Sequence, residues 1–243
     1  VLTFDDGPHP VNTPKVLDAL QEQEVPGTFF VMGDKMDTIA ERKRYTPILN
    51  RMIAEGNIVG SHSYKHETHP NMSREKVRRY IDYSTQYLRP WISPVFRLPY
   101  GAGYFKSSNA AKQAKNNMVM NEIKDAGYQH VAWDIDTNDW NSNLHSTLLS
   151  TMMKDICRRR GGIILFHDIR SNTANNISNW IKEIKNAGHK IVPLSKEVPV
   201  ASQRMSNIDI ECEYSIPETS QQALELLKTG IQAEGHYEHG DHQ

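Results

Sequence analysis

The sequence has little cysteine, no excess of either charge and no long apolar run. Only Cys157 and Cys212 occur among its 243 residues, and they do not form a CxxC pair. We expect two free thiols from this spacing, and a single disulfide between them stays open. Cysteine usage therefore leaves the compartment undecided.

The charges nearly cancel, with 28 basic against 29 acidic residues and a pI of about 6.9. No basic surplus points to nucleic acid or to an anionic membrane, and the balance is compatible with a neutral partner such as a sugar. No apolar run approaches the ~18 residues that span a bilayer, so we expect no transmembrane segment. The chain starts without Met inside a strand-like run, so we expect an excerpt or processed product, with any signal peptide upstream.

The sequence does contain a regular alternation of short apolar runs and helical patterns. Strands are predicted at residues 1–4, 28–31, 58–60, 95–97, 130–133, 162–166 and 190–193, and helices at 13–20, 45–55, 73–88, 118–126, 144–160 and 176–187. Thr13 and Ser73 are expected to cap the helices that they begin. Six or seven strand–helix units favour an α/β fold with parallel strands in one β/α barrel, where sites lie at the carboxyl ends of the strands.

The alternation predicts a domain over residues 1–197 and a C-terminal extension over 198–243. Residues 102–117 are small and polar and are interpreted as an inserted loop. The extension contains one helical pattern, at 219–227, and ends in a histidine-rich tail at 236–242. We expect that tail to be mobile and able to bind metal only adventitiously.

Two segments carry the residue types that a metal-assisted hydrolase needs. Residues 3–7 (TFDDG) contain two adjacent carboxylates, and residues 62–66 (HSYKH) contain two histidines four positions apart. One aspartate with His62 and His66 can hold zinc and leave a position for water, whereas a non-haem iron site usually has a local His-x-Asp/Glu pair. Each pair alone could also be structural or solvated. The structural or solvated interpretation is less favoured because both pairs directly follow predicted strands. His69, which lies nearby, is interpreted as a loop residue.

The two aspartates raise a problem of direction. Successive residues on a strand point to opposite faces, so Asp5 and Asp6 can serve one site only if the chain turns at once. The pair Gly7-Pro8 is a turn signal at that point. One aspartate can then bind the metal while the other faces a metal-bound water, whose pKa falls to roughly 7.

Hydrolysis of an acyl bond also needs an acid for the leaving group. His167, directly after the apolar run 162–166, is the best candidate, although a histidine there could equally be structural. Three aspartates are available to orient it: Asp134, Asp136 and Asp139. Arg97 can pair with the free aspartate and keep it ionised, and a backbone N–H after Pro99 can serve an oxyanion.

These segments together resemble the polysaccharide deacetylases of carbohydrate esterase family 4, the NodB-homology group. Five ordered motifs of that family have a match, at residues 3–7, 62–66, 97–100, 136–140 and 165–167. The resemblance covers about residues 1–197 and implies a distorted β/α barrel with about seven parallel strands. Leu98 stands where the family often has proline, and the insertion after Gly101 is larger than usual and is expected to reshape the binding groove.

The resemblance implies roles for the first three motifs. Asp5 would be the general base, and Asp6, His62 and His66 would be the metal ligands. Arg97 would position Asp5.

The remaining motifs supply the other roles by the same resemblance. The backbone amide of Tyr100 would support the oxyanion, and His167 would be the acid, tuned by Asp139. Trp140 would wall the pocket, and Leu165 would lie against the acetyl methyl group.

The resemblance implies a metal-dependent hydrolase that removes N-acetyl groups from glycans containing N-acetylglucosamine. Zn²⁺ is the expected ion, with Co²⁺ or another divalent ion as alternatives. The resemblance also implies a secreted, periplasmic or cell-envelope location. Two other functions stay open, because the motifs do not separate amides from esters: an O-acetyl esterase acting on xylan, and a catalytically silent glycan-binding domain.

Overall fold

The computed structural model describes residues 1–195, which form seven strands and six α-helices in alternation. The strands are β1 Leu2–Asp5, β2 Gly27–Val31, β3 Ile58–Ser61, β4 Val95–Phe96, β5 Gln129–His130, β6 Ile135–Asp136 and β7 Ile164–His167. The helices are α1 Asn12–Glu22, α2 Ile39–Ala54, α3 Arg74–Leu88, α4 Ala110–Asp125, α5 His145–Arg159 and α6 Ser171–Asn186.

The strands form one parallel sheet in the order β5-β4-β3-β2-β1-β7-β6. The sheet curls into a half-barrel, so the predicted distorted β/α barrel with about seven parallel strands is confirmed. Within residues 1–195 the edge strands β5 and β6 do not pair with each other. Because every strand is parallel, all the carboxyl ends lie along the same edge of the sheet.

The centre of the sheet is buried under helices. Strands β1 and β2 are buried along their whole length. This burial explains why their sequences are continuous apolar runs rather than an alternation of apolar and polar residues. Phe4 stacks on Phe29 and on Phe166, with ring centroids 5.0 and 5.8 Å apart, so three neighbouring strands share one aromatic core layer. This packing accompanies the direct pairing of β1 with β7, which places the ends of the two strands side by side.

Helix α4 corrects the predicted inserted loop. The loop was expected over 102–117, but the helix begins at Ala110, and the side chain of Asn109 caps it by accepting from the Lys112 amide at 2.9 Å. The segment lacks an apolar stripe because most of its first turns face solvent. Alanine and lysine are good helix formers all the same, so propensity and a cap sufficed without a periodic pattern.

The remaining expectations about caps, strands and His69 have mixed outcomes. Thr13 does not cap α1: it lies inside the helix, and Val11 occupies the N-cap without a side-chain bond. No strand forms at 190–193, and the two-residue strand β6 was too short to predict. Ser73 does cap α3, as predicted. His69 is fully buried in a 3₁₀ turn, His69–Asn71, where its Nε2 bonds to Ser63 Oγ at 2.7 Å.

Cys157 is disulfide-bonded, so the expectation of two free thiols is wrong. Cys212, the predicted helix at 219–227, the histidine-rich tail at 236–242 and the boundary at residue 197 all lie outside the described residues. Within residues 1–195, no helix combines the length and apolar character needed to cross a membrane.

Candidate active site

Five predicted site residues converge at the carboxyl edge of the sheet. Asp5 ends β1 and His167 ends β7, while His62 and Arg97 directly follow β3 and β4. Asp139 lies three residues beyond β6. Parallel strands thus bring together residues that are far apart in the chain.

Asp6, His62 and His66 form a cluster that suits a metal ion. Asp6 Oδ1 lies 3.4 Å from His62 Nε2 and 3.3 Å from His66 Nε2, and the three candidate ligand atoms lie within 4.8 Å of one another. Asp6 Oδ1 is buried without a hydrogen-bond partner among the described residues, which is costly unless a cation or water satisfies it. Two imidazoles and one carboxylate are a donor set that zinc favours.

The tautomer of His62 supports that arrangement. Its Nδ1 lies 2.8 Å from the backbone oxygen of Arg97, which can only accept, so Nδ1 carries the proton. The lone pair of Nε2 is therefore directed to Asp6. A carbonyl that fixes the second nitrogen of a histidine in this way is the usual support of a metal-binding imidazole.

Asp5 and Asp6 reach one site because the chain turns at Asp6. Asp6 has a φ of 75°, in the left-handed region, and the Gly7–Pro8 peptide that follows is cis. Asp5 Oδ2 lies 3.8 Å from His62 Nε2, and Asp5 Oδ1 accepts a hydrogen bond from Arg97 at 2.9 Å. Asp6 belongs to the histidine cluster, and Asp5 stands beside it with its charge held by the arginine.

Arg97 is fully buried and joins four parts of the fold. Besides Asp5, its Nη1 donates to Thr3 Oγ1 at 2.8 Å, and its Nε and Nη2 donate to the backbone oxygens of Val131 and Ala132, both at 3.0 Å. The guanidinium also lies over the Phe30 ring, 4.2 Å from its centroid. Burial lowers the pKa of Arg97 and Asp5 opposes that shift, so the pair forms a compensated buried charge.

The cluster's electrostatics suit cation binding. Burial acts to raise the pKa of Asp6, but the adjacent His62 and the nearby His167 and His66 outweigh it and lower that pKa below its usual range. Partial burial lowers the pKa of His66, which Asp6 opposes. A carboxylate and a neutral imidazole are the forms that ligate metals.

His167 is paired with Asp139. Its Nδ1 lies 2.7 Å from Asp139 Oδ1, and its backbone N–H donates to Asp139 Oδ2 at 2.8 Å. Thr173 Oγ1 donates to the same Oδ2 at 2.5 Å. Burial acts to lower the pKa of His167, but the hydrogen bond and charge of Asp139, aided by Asp5 and Asp6, raise it to about 9.

The other two aspartates proposed as partners of His167 lie elsewhere. Asp134 Oδ2 accepts from the Ile163 amide at 2.8 Å, which fixes the entry to β7. Asp136 is exposed and caps its own turn by accepting from the Asn138 amide at 2.9 Å. Of the three candidates, Asp139 alone forms the contact.

The three residues predicted to contact substrate differ in how exposed they are. Tyr100 is 63% exposed, and its ring meets His66 edge-on, with centroids 4.3 Å apart. Trp140 is 51% exposed, whereas Leu165 is only 4% exposed. Because side chains two apart on a strand share a face, Leu165 points to the same side of the sheet as His167.

Left-handed backbone recurs in the loops of the site, which sequence reasoning missed. Asp6, Ser63, Tyr100 and Asn138 are non-glycine residues with φ between 52° and 75°. Such residues cost free energy, and in folded proteins they concentrate where function requires a fixed geometry. Here each one lies next to, or within, one of the matched motifs.

Asp168 was also missed, although it directly follows His167. It is 1% exposed and accepts a hydrogen bond from Thr13 Oγ1, which in turn accepts from the His9 amide at 2.7 Å. Burial raises the pKa of Asp168 to about 7, and the bond from Thr13 opposes that rise. Its carboxylate lies directly against Gly7, where an added Cβ would overlap it. Asp168 thus braces the turn that carries Asp6.

We expect Gly7→Ala to destabilise the protein by about 1–3 kcal/mol, because the new methyl group overlaps the Asp168 carboxylate. Gly7 has an ordinary φ, so the cost is steric rather than conformational. Chemical denaturation measures the loss. In an Asp168→Ala background the same change should cost clearly less. Equal costs in both backgrounds would show that the two residues do not restrain each other.

Comparisons with known proteins show the family to which the chain belongs. The family model described as polysaccharide deacetylase matches residues 1–131. The chain is 30% identical over 202 residues to a peptidoglycan-N-acetylglucosamine deacetylase of Bacillus cereus, covering 80% of this chain and 85% of that protein. It is 33% identical over 174 residues to a chitooligosaccharide deacetylase of Sinorhizobium fredii, covering 69% and 70%.

A solved structure has the same architecture. The T48 deacetylase with substrate superposes with a TM-score of 0.64 at 28% identity, over 79% of this chain and 86% of that one. The similarity therefore extends over most of both chains and includes the curled parallel sheet.

Proposed function

Because the chain belongs to the polysaccharide deacetylase family, we propose that it is a metal-dependent hydrolase that removes N-acetyl groups from glycans containing N-acetylglucosamine. The observation that carries the proposal is the register of β1 and β7. Asp5 and His167 are direct partners on these adjacent parallel strands, so a carboxylate and an imidazole flank the same point beside the Asp6 cluster. A base and an acid on either side of one acyl carbon are what amide hydrolysis needs.

Asp6, His62 and His66 would hold the ion, and Zn²⁺ fits their two nitrogens and one oxygen, with Co²⁺ as an alternative. A divalent ion bound there supplies a Lewis acid for the acetyl carbonyl and lowers the pKa of a bound water to roughly 7. The unsatisfied Asp6 Oδ1 supports this assignment.

The protein's own residues divide the proton transfers between them. Asp5 takes a proton from the attacking water, and Arg97 holds the Asp5 carboxylate in place by a 2.9 Å hydrogen bond. His167 enters the reaction as an imidazolium, because Asp139 stabilises its charge, and gives its proton to the departing amine.

Three residues would shape the acyl pocket. We assign the backbone N–H of Tyr100 to the oxyanion, Leu165 to the acetyl methyl group and Trp140 to the pocket wall. The support for Leu165 is that it lies on the same face of β7 as His167.

The substrate test compares acetate release from N-acetylchitooligosaccharides, peptidoglycan and acetylxylan, with the full chain stripped by a chelator and reloaded with Zn²⁺ or Co²⁺. We expect release from the N-acetylated glycans, at least tenfold lower release from acetylxylan, and loss of activity in the stripped protein. Preference for acetylxylan would favour the O-acetyl esterase. Glycan binding without acetate release after reloading would favour the silent binding domain.

We also propose that the protein works outside the cytoplasm. The disulfide at Cys157 supports this, because disulfides persist mainly in oxidising compartments. The substrate named for the Bacillus cereus relative, peptidoglycan, fits the same location.

A further inference from the structure

A groove of about 440 Å³ opens beside the candidate metal cluster. His66 and Tyr100 stand at one end of it, and the groove extends over the 3₁₀ turn His69–Asn71 to the first turns of α3. Its volume falls within the ~300–1,000 Å³ of ordinary ligand pockets. A glycan whose acetamide lies at His66 would place a neighbouring sugar residue in or near this groove.

The charges in the groove cancel locally. Apart from His66, Glu67 and Lys76 are the only charged residues among the described residues that line it. Lys76 Nζ lies 2.7 Å from Glu67 Oε2, and Tyr80 Oη donates to Glu67 Oε1 at 2.5 Å. Among the described residues of the lining, no side-chain cation is therefore left uncompensated to attract a carboxylate.

The remaining lining suits an uncharged sugar. Asn71 is exposed and offers an amide that can both donate and accept, as sugar hydroxyls require. Met72 and the exposed ring of Tyr100 supply apolar surface for the C–H face of a pyranose. Neutral polar groups beside aromatic and apolar surface are the chemistry of a carbohydrate subsite rather than of an anion site.

We propose that this groove is a subsite for the neutral hexosamine next to the residue being deacetylated, and that it discriminates against a neighbour that carries a carboxylate. The inference rests on the proposed function, because the acetamide at the metal cluster defines where the neighbour lies. It adds a preference for chitin-type chains over chains with an acidic sugar at this position.

The first test blocks the groove with Asn71→Trp and uses Asn175→Trp as the control. Both asparagines are exposed, and Asn175 lies on α6, away from the groove. On N-acetylchitooligosaccharides of increasing length, Asn71→Trp should lower kcat/KM about tenfold on the longest chain, the effect of losing one or two sugar contacts. On the shortest chain that is turned over, the effect should be under twofold. The control should match the wild type at every length.

The second test changes the charge balance. Glu67→Gln removes the partner of Lys76, so kcat/KM for oligosaccharides with a carboxylate-bearing neighbour should rise about three- to tenfold relative to chitooligosaccharides. Equal effects of Asn71→Trp at every length, or no change of preference in Glu67→Gln, would overturn the subsite while leaving the deacetylase activity standing. A wild-type protein that releases no acetate from any glycan would overturn the proposed function and the subsite with it.

Discussion

His167→Ala is expected to lower kcat for acetate release by about 10²–10⁴, the usual contribution of a positioned general acid. The ring is not part of the apolar core, and among residues 1–195 its Nδ1 bonds to Asp139 alone, so the variant should fold. Steady-state kinetics measures kcat, and a thermal melt checks that the variant is folded. A variant that retains more than about a tenth of wild-type kcat would remove His167 from the acid role.

The pH profile tests the same role through Asp139. The acid is the imidazolium, so activity should fall as pH rises through the pKa of His167, which Asp139 and the other carboxylates raise to about 9. An ion held by Asp6 opposes the effect of those carboxylates, so the alkaline limb is expected at or below pH 9. Asp139→Asn lowers the pKa and should move that limb to lower pH. Thr173→Val removes a donor without changing charge and should leave it nearly in place.

Arg97→Leu is expected to destabilise the protein by about 3–5 kcal/mol and to abolish acetate release. The change leaves Asp5 buried without its cation and leaves the backbone oxygens of Val131 and Ala132 without their donors. Without Arg97, Asp5 also loses the hydrogen bond that aims its carboxylate, so the base no longer holds a fixed position. Chemical denaturation and an acetate assay measure the two effects.

The double variant Arg97→Leu/Asp5→Asn separates the loss of stability from the loss of activity. Removing the buried charge should recover part of the lost stability, because the uncompensated carboxylate is the largest single cost. Activity should stay absent, since the base is gone. Asp5→Asn alone gives the reference cost in free energy of unfolding. If adding Asp5→Asn to Arg97→Leu lowered the free energy of unfolding by that same full amount, the uncompensated charge of Asp5 would not be the source of the destabilisation.

Patterns close together in the chain predicted much of the fold. The strands around Phe4, Phe29 and Phe166 were predictable because both faces are buried, which leaves an unbroken apolar run. Helix α4 was partly missed because its exposed first turns rely on propensity and on the Asn109 cap rather than on an apolar stripe. Strand β6 has two residues and no periodicity that could be read.

The sequence by itself determined which chemical groups this protein has available and that they gather at one edge. Carboxylates and histidines were recognisable by type and spacing, and an alternating β/α chain puts all its strand ends on the same side. Only the tertiary structure decided how those groups divide their tasks. The left-handed turn at Asp6, the Asp5–Arg97 pair across 92 positions and the Asp168 brace on Gly7 depend on contacts between distant segments. No local pattern encodes such contacts, because packing and burial arise only when the whole chain is folded.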